Sequence, residues 1–208
     1  MKLFIEKLGF SNTEEEIKDT LKLFIEEEIR KTIDPIRNED SETVEFNLEF
    51  LRDYIECEVM FLWWFSNNMC PDKVLYAGSG FDIFPKLIFG EDKVFHTSLE
   101  QYRGDTKNYF SELGSGMKIV ADNVELPFQV SVFNAVLFFG LPEDSIREQL
   151  PDSIRTLKNG GFLVFDSTIL NEIDLSLELS WFEKIEVPQD FQGDGASETR
   201  FLVYRVNR

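Results

Sequence analysis

Apolar positions follow two different rhythms along this chain, and the change falls near residue 73. Before it the period is helical. Ile17, Leu21, Phe24, Ile25 and Ile33 recur near a spacing of about 3.6, with Glu26, Glu27 and Glu28 between them. Thr13-Glu14-Glu15-Glu16 offers a capping box at the start, hydroxyl and carboxylate each satisfying a free N–H group. Pro35 ends this helix or lies just past it. A second helical stripe uses Leu48, Leu51, Ile55, Val59 and Leu62 and ends in Trp63-Trp64-Phe65, expected to pack the helix against the sheet. Ser66-Asn67-Asn68 reads as the turn after it.

From residue 73 short apolar runs alternate with helix-length segments. Strands are expected at residues 73–77, 94–97, 117–121, 132–139 and 161–167. Helices are expected from Asp82, over 98–113, over 143–157 and near 170–180, with Pro151 opening the second half of the third or kinking it. Residues 182–187 and 200–206 form a closing antiparallel pair around a Gly/Asp/Ser loop. Alternating strands and helices imply right-handed crossovers and a parallel sheet covered on both faces, here with one antiparallel strand added. The chain divides into a helical extension, 1–72, and an α/β domain, 73–208.

Charge adds a constraint on partners. The 208 residues carry 39 acidic and 21 basic side chains, net −18. Residues 1–72 hold 18 acids and 8 bases, so the extension is the more acidic part. Nucleic-acid backbones and anionic membranes need clustered Lys and Arg, so neither is a favoured partner. The longest apolar run, Val59 to Phe65, is far short of the ~18–20 residues of a membrane span. The opening MKLFIEKLGF turns acidic instead of extending into an apolar stretch, and the expected location is cytoplasmic. Cys57 and Cys70 show no disulfide or metal-ligand spacing, and no metal is expected. His96 stands alone in an apolar strand pattern and reads as structural.

Candidate chemistry concentrates at Val74-Leu75-Tyr76-Ala77-Gly78-Ser79-Gly80-Phe81-Asp82, a buried strand running into a Gly-x-Gly turn and a helix. Glycines there let the backbone turn tightly and approach a ligand, and Asp82 is placed to cap the helix. Three further segments come after it in order: Val120-Ala121-Asp122-Asn123-Val124-Glu125-Leu126-Pro127-Phe128, Phe133-Asn134-Ala135-Val136-Leu137-Phe138-Phe139, and Arg155-Thr156-Leu157-Lys158-Asn159-Gly160-Gly161-Phe162-Leu163-Val164.

Together these segments resemble the class I S-adenosylmethionine-dependent methyltransferases over about residues 73–206. The resemblance implies a Rossmann-like, doubly wound, mostly parallel seven-stranded sheet of order 3-2-1-4-5-7-6 with its last strand antiparallel. It implies S-adenosylmethionine as cofactor and S-adenosylhomocysteine as product. Gly78, Ser79 and Gly80 would line the methionine end, with Tyr76 and Asp82 beside them. Asp122 would face the adenine amino group and the Asn123 backbone would lie by the ring. Phe138 and Phe139 match the wall near the sulfonium, although strand alternation lets only one of them face a pocket. The family usually ends its second strand with an acid that grips the ribose. This chain has Thr97 and Ser98, which offer one neutral hydrogen bond, worth ~1 kcal/mol against ~1.5–3 for a charged one.

Methyl transfer is an in-line displacement in which the protein supplies orientation and desolvation. Glu143 and Asp144 are the candidate acids near the expected pocket, and no residue stands out as general base. The leading reading is a methyltransferase acting on a small-molecule or protein acceptor, with residues 1–72 forming part of the acceptor pocket. A second reading is a catalytically inactive member of the fold used for binding or assembly, with a homodimer through the N-terminal helices. A third, a dehydrogenase, lacks the Gly-x-Gly-x-x-Gly fingerprint, since Ile83 holds the third position.

Overall fold

The computed structural model describes residue 26 and residues 41–78, 84–98, 117–166, 181–191 and 201–207. The expected helices at 14–33, 98–113 and 170–180 lie outside these, apart from helical Glu26 and Ser98, which is the last residue of a strand.

Helix α1, Ser41–Met69, realises the second stripe. It runs through the Ser66-Asn67-Asn68 segment expected to be a turn. The two asparagines explain why: Asn67 Nδ2 donates to Trp63 O at 3.0 Å and Asn68 Nδ2 to Trp64 O at 2.8 Å, so their amides occupy carbonyls of the last turns. The stop comes at Cys70, which takes φ 47° while its N–H bonds Ser66 O at 3.2 Å.

After it come β1 (Val74–Ala77), the short helix α2 (Phe84–Phe89), β2 (Val94–Ser98), β3 (Met117–Val120), β4 (Phe133–Phe138), α3 (Glu143–Thr156), β5 (Leu157–Asp166), β6 (Phe182–Ile185), a 3-10 turn (Gln189–Phe191) and β7 (Phe201–Val206). The seven strands form one sheet in the order β3-β2-β1-β4-β5-β7-β6. β1 through β5 run parallel, and β7 is antiparallel to both β5 and β6. β5 begins four residues before the expected strand, directly after α3. Its register against β4 shifts between Phe133 and Ala135, an irregularity that takes up Gly160 at φ 75°.

Alternation divides the core. Val74 and Tyr76 of β1 face one side with Leu137, Phe162, Val164 and Phe201, where α1 and α2 pack. Leu75 and Ala77 face the other with Val136, Phe138, Leu163 and Phe165, where Ile146 and Leu150 of α3 pack. α1 is a structural layer: Phe61, Leu62 and Phe65 are fully buried, and Phe61 stacks on Phe201 of β7 at 4.0 Å and 10°. Ile55, Val59, Phe61, Leu62, Trp64 and Phe65 of the acidic extension thus belong to the core of the sheet domain. Pro151 lies on the exposed side of α3, which continues through it.

Candidate functional site

Because β1 to β5 are parallel, their C-terminal ends share one edge of the sheet, where open α/β folds place their ligands. Gly78 follows β1 with φ 66°, a left-handed conformation that disfavours any side chain. A Cβ there would meet Leu141 Cδ2 at 2.7 Å, so the turn after β1 presses against the segment after β4. Ser79, Gly80 and Asp82, the rest of the expected cradle, lie outside the described residues.

At the end of β2, Thr97 is fully buried and its hydroxyl donates to Tyr76 O at 3.3 Å. That hydrogen bond ties β2 to β1 and uses the hydroxyl's proton. Ser98 closes β2 opposite Val120 of β3.

After β3, Asp122 is exposed and forms an Asx turn, its Oδ1 accepting from Val124 N–H at 2.9 Å. Its Oδ2 has no protein partner among the described residues. Asn123 is 2% exposed and its Oδ1 finds no hydrogen-bond donor among the described residues. An orphaned buried acceptor beside an exposed carboxylate is the feature here that fits a ligand's hydrogen-bonding edge.

Tyr76 and Phe139 are placed otherwise than as open walls. Both belong to the α1 side of the core, 2% and 3% exposed, with rings edge to face at 5.7 Å. Phe139 also meets Phe201 at 5.5 Å. Phe138 packs on the other face against Phe165. Both phenylalanines are therefore core, because α1 covers the face that alternation alone would have left open. The Tyr76 backbone is itself within the sheet, β1 being paired to β2 and β4 there, so neither ring lines an open wall.

His96 is fully buried beside Tyr76, 5.7 Å between rings, and both its nitrogens lack partners among the described residues. Burial, followed by the charges of Lys86 and Lys118, pushes its pKa down to about 4, so it is neutral at pH 7.

Of the two candidate acids, Glu143 is held by Arg147, which donates to Oε1 from Nε at 2.9 Å and from Nη2 at 2.7 Å. Asp144 is exposed in the first turn of α3.

The edge also holds a group that no sequence motif singles out. Asp166, 3% exposed at the end of β5, accepts from Tyr54 Oη at 2.7 Å and from Gly140 N–H at 2.9 Å. It joins α1, the turn after β4 and the end of β5. An acid closing the apolar run Phe162-Leu163-Val164-Phe165 is the one available signal, and Tyr54 has none.

A cleft of about 420 Å³ lined by Asn68, Asn134, Gly160, Phe162 and Arg205, among others, opens at the start of β4. That is the edge opposite the C-terminal strand ends.

Solved structures share this architecture. N-methyltransferase NodS from Bradyrhizobium japonicum WM9, in complex with S-adenosyl-L-homocysteine, superposes with a TM-score of 0.55 at 14% identity, covering 76% of this chain and 88% of that one. The fold is that of the class I methyltransferases. A second structure with this methyltransferase fold spans nearly the whole chain. It is the Burkholderia thailandensis 1,6-didemethyltoxoflavin-N1-methyltransferase with bound 1,6-didemethyltoxoflavin and S-adenosylhomocysteine, with a TM-score of 0.52, 13% identity, and coverage of 96% and 93%. The [4+2]-cyclase SpnF also matches, with a TM-score of 0.50, 13% identity, and coverage of 74% and 82%. No family model matches the chain, and neither does any curated protein.

Proposed function

We propose that the chain is an S-adenosylmethionine-dependent methyltransferase of a small-molecule or protein acceptor, working in the cytoplasm. The observation that carries this reading is the pairing of the left-handed Gly78 turn after β1 with the exposed Asp122 turn after β3, on one edge of a sheet of order 3-2-1-4-5-7-6. Gly78, Ser79, Gly80 and Asp82 would hold the methionine portion of the cofactor, Ser98 the ribose, and Asp122 and Asn123 the adenine. Bound there, the cofactor supplies an electrophilic methyl group.

The chain's own contribution is orientation and exclusion of water. Helix α1 closes one side of the β4 and β5 ends through the Tyr54–Asp166 bond, so the acceptor would approach between that latch and the Gly78 turn. A small-molecule acceptor draws further support from the toxoflavin enzyme, which aligns along nearly the whole chain and holds a small acceptor.

The non-catalytic reading draws its support from Thr97, whose hydroxyl is committed to the sheet where the family places a ribose-gripping acid. A homodimer through residues 1–72 belongs to that reading. Calorimetric titration with S-adenosylmethionine and S-adenosylhomocysteine separates the two. Cofactor at 100 times its dissociation constant should stabilise the protein by ~2.7 kcal/mol. Absence of heat and of any melting shift at millimolar cofactor rejects the enzyme.

A further inference from the structure

The segment between β3 and β4 carries Asp122 and Asn123 and is built of turns. Within it, Asp122 O accepts from Glu125 N–H at 3.0 Å, and the Asx turn at Val124 adds a second local bond. Beyond Glu125 its backbone is held from outside by two side chains on one turn of α3. Asp152 Oδ2 accepts from Leu126 N–H at 2.6 Å. Arg155 Nη2 donates to Leu126 O at 3.0 Å, and Arg155 Nη1 donates to Phe128 O at 2.7 Å. The two side chains also bind each other, Nη2 to Oδ2 at 2.9 Å.

Two further features make this a clamp on the segment rather than a surface ion pair. Leu126 is 4% exposed and sits among the buried residues of the α3 face, so it is a fixed point four residues from Asp122. Asp122, Val124 and Glu125, on the other side of that point, are exposed. An exposed ion pair by itself contributes little. Here each charge also satisfies backbone groups of a turn that lacks a ladder of its own. The planar guanidinium reaches two carbonyls and a carboxylate together, which a lysine ammonium does not.

We propose that Asp152 and Arg155 are positioning residues for adenine recognition: by fixing Leu126 and Phe128 they hold the Asp122-Asn123 turn in the geometry that selects an amino-bearing purine. The proposal rests on the assignment of Asp122 and Asn123 to the adenine. Asp122 Oδ2, with no protein partner among the described residues, is the acceptor such an amino group would meet. Loosening the clamp displaces that acceptor without touching the cofactor directly.

The test compares S-adenosylhomocysteine with its S-inosyl analogue, in which a carbonyl replaces the purine amino group. Wild type and the variants Asp152→Asn, Arg155→Met and Arg155→Lys are titrated with both under conditions where circular dichroism shows each folded. Wild type should prefer the adenosyl compound, because a carbonyl faces the Asp122 carboxylate unfavourably. Asp152→Asn and Arg155→Met should lose about tenfold in adenosyl affinity, the effect of one displaced hydrogen bond, and most of the preference. Arg155→Lys should fall between. A merely structural role lowers stability and leaves the preference ratio unchanged, so an unchanged ratio in folded variants overturns the proposal. Hydrogen exchange of the Leu126 amide in ligand-free protein reads the clamp separately. It should quicken in Asp152→Asn and Arg155→Met, and equal rates overturn the clamp whatever the cofactor does. Failure of wild type to bind S-adenosylhomocysteine, with quickened exchange in the variants, instead overturns the assignment of Asp122 and Asn123 and the recognition role with it.

Discussion

The phenol of Tyr54 donates a 2.7 Å hydrogen bond to Asp166, a residue 112 positions later in the chain. The same carboxylate oxygen receives Gly140 N–H, so one buried acid ties α1 to the ends of β4 and β5. Deleting a donor to a buried carboxylate leaves it less well satisfied, at a cost of ~1–3 kcal/mol. Tyr54→Phe should lower the unfolding free energy by that amount, seen as a lower urea midpoint with an unchanged denaturant slope. An unchanged midpoint would show that the bond contributes nothing to stability.

Phe61 tests whether α1 is a lid or a layer. Its ring is fully buried, stacked on Phe201 and near Phe65 and Phe139. Phe61→Ala should destabilise by ~3–5 kcal/mol, the range for emptying a phenylalanine site. A detachable lid would give less than ~1 kcal/mol. Thermal and urea unfolding of the full chain decide between them, and truncation at residue 72 should leave an insoluble or unfolded remainder.

His96 makes stability depend on acidity. Its folded pKa, about 4, lies below the ordinary 6.5, so folding favours the neutral ring. The stabilisation is complete above pH 6.5 and is lost as pH falls from there to about 4. The shift corresponds to roughly 3 kcal/mol between those limits. His96→Leu removes two ring nitrogens that have no hydrogen-bond partner among the described residues, and the titration with them. The variant should be at least as stable as wild type at pH 7 and should exceed it progressively toward pH 4. Parallel stability curves for the two proteins would refute this account.

Gly78 combines a left-handed backbone with a crowded Cβ position. The obstructing Leu141 methyl is the far end of a flexible side chain, so the backbone conformation dominates, at ~1–2 kcal/mol for a non-glycine residue. Gly78→Ala should therefore still fold, with a modest fall in melting temperature. Its melting shift with S-adenosylhomocysteine should be abolished, because the turn is the expected approach to the cofactor. A retained shift would place the ligand elsewhere.

Apolar periodicity alone accounts for most of the architecture. Val74–Ala77, Phe133–Phe138 and Glu143–Thr156 stand within a residue or two of where apolar spacing predicts them, since local backbone preference and burial agree there. The sheet order comes from the family resemblance that the glycine turn, the Asp122 segment and the two motifs after it carry, and the structure has that order. Other outcomes depend on groups that meet only in the folded chain. α1 continues through Asn67 and Asn68 because their amides turn back onto the helix. Phe139 is core because α1 covers it, although strand alternation makes it the open alternative to Phe138. The Thr97 hydroxyl donates to the Tyr76 carbonyl on the neighbouring strand, a partner that no local pattern announces. Tyr54–Asp166 and the Asp152–Arg155 clamp join segments that no local pattern connects. Apolar spacing records which face of an element is buried. Which polar group meets which is decided only when the elements pack, because a hydrogen bond depends on position to within a few tenths of an ångström.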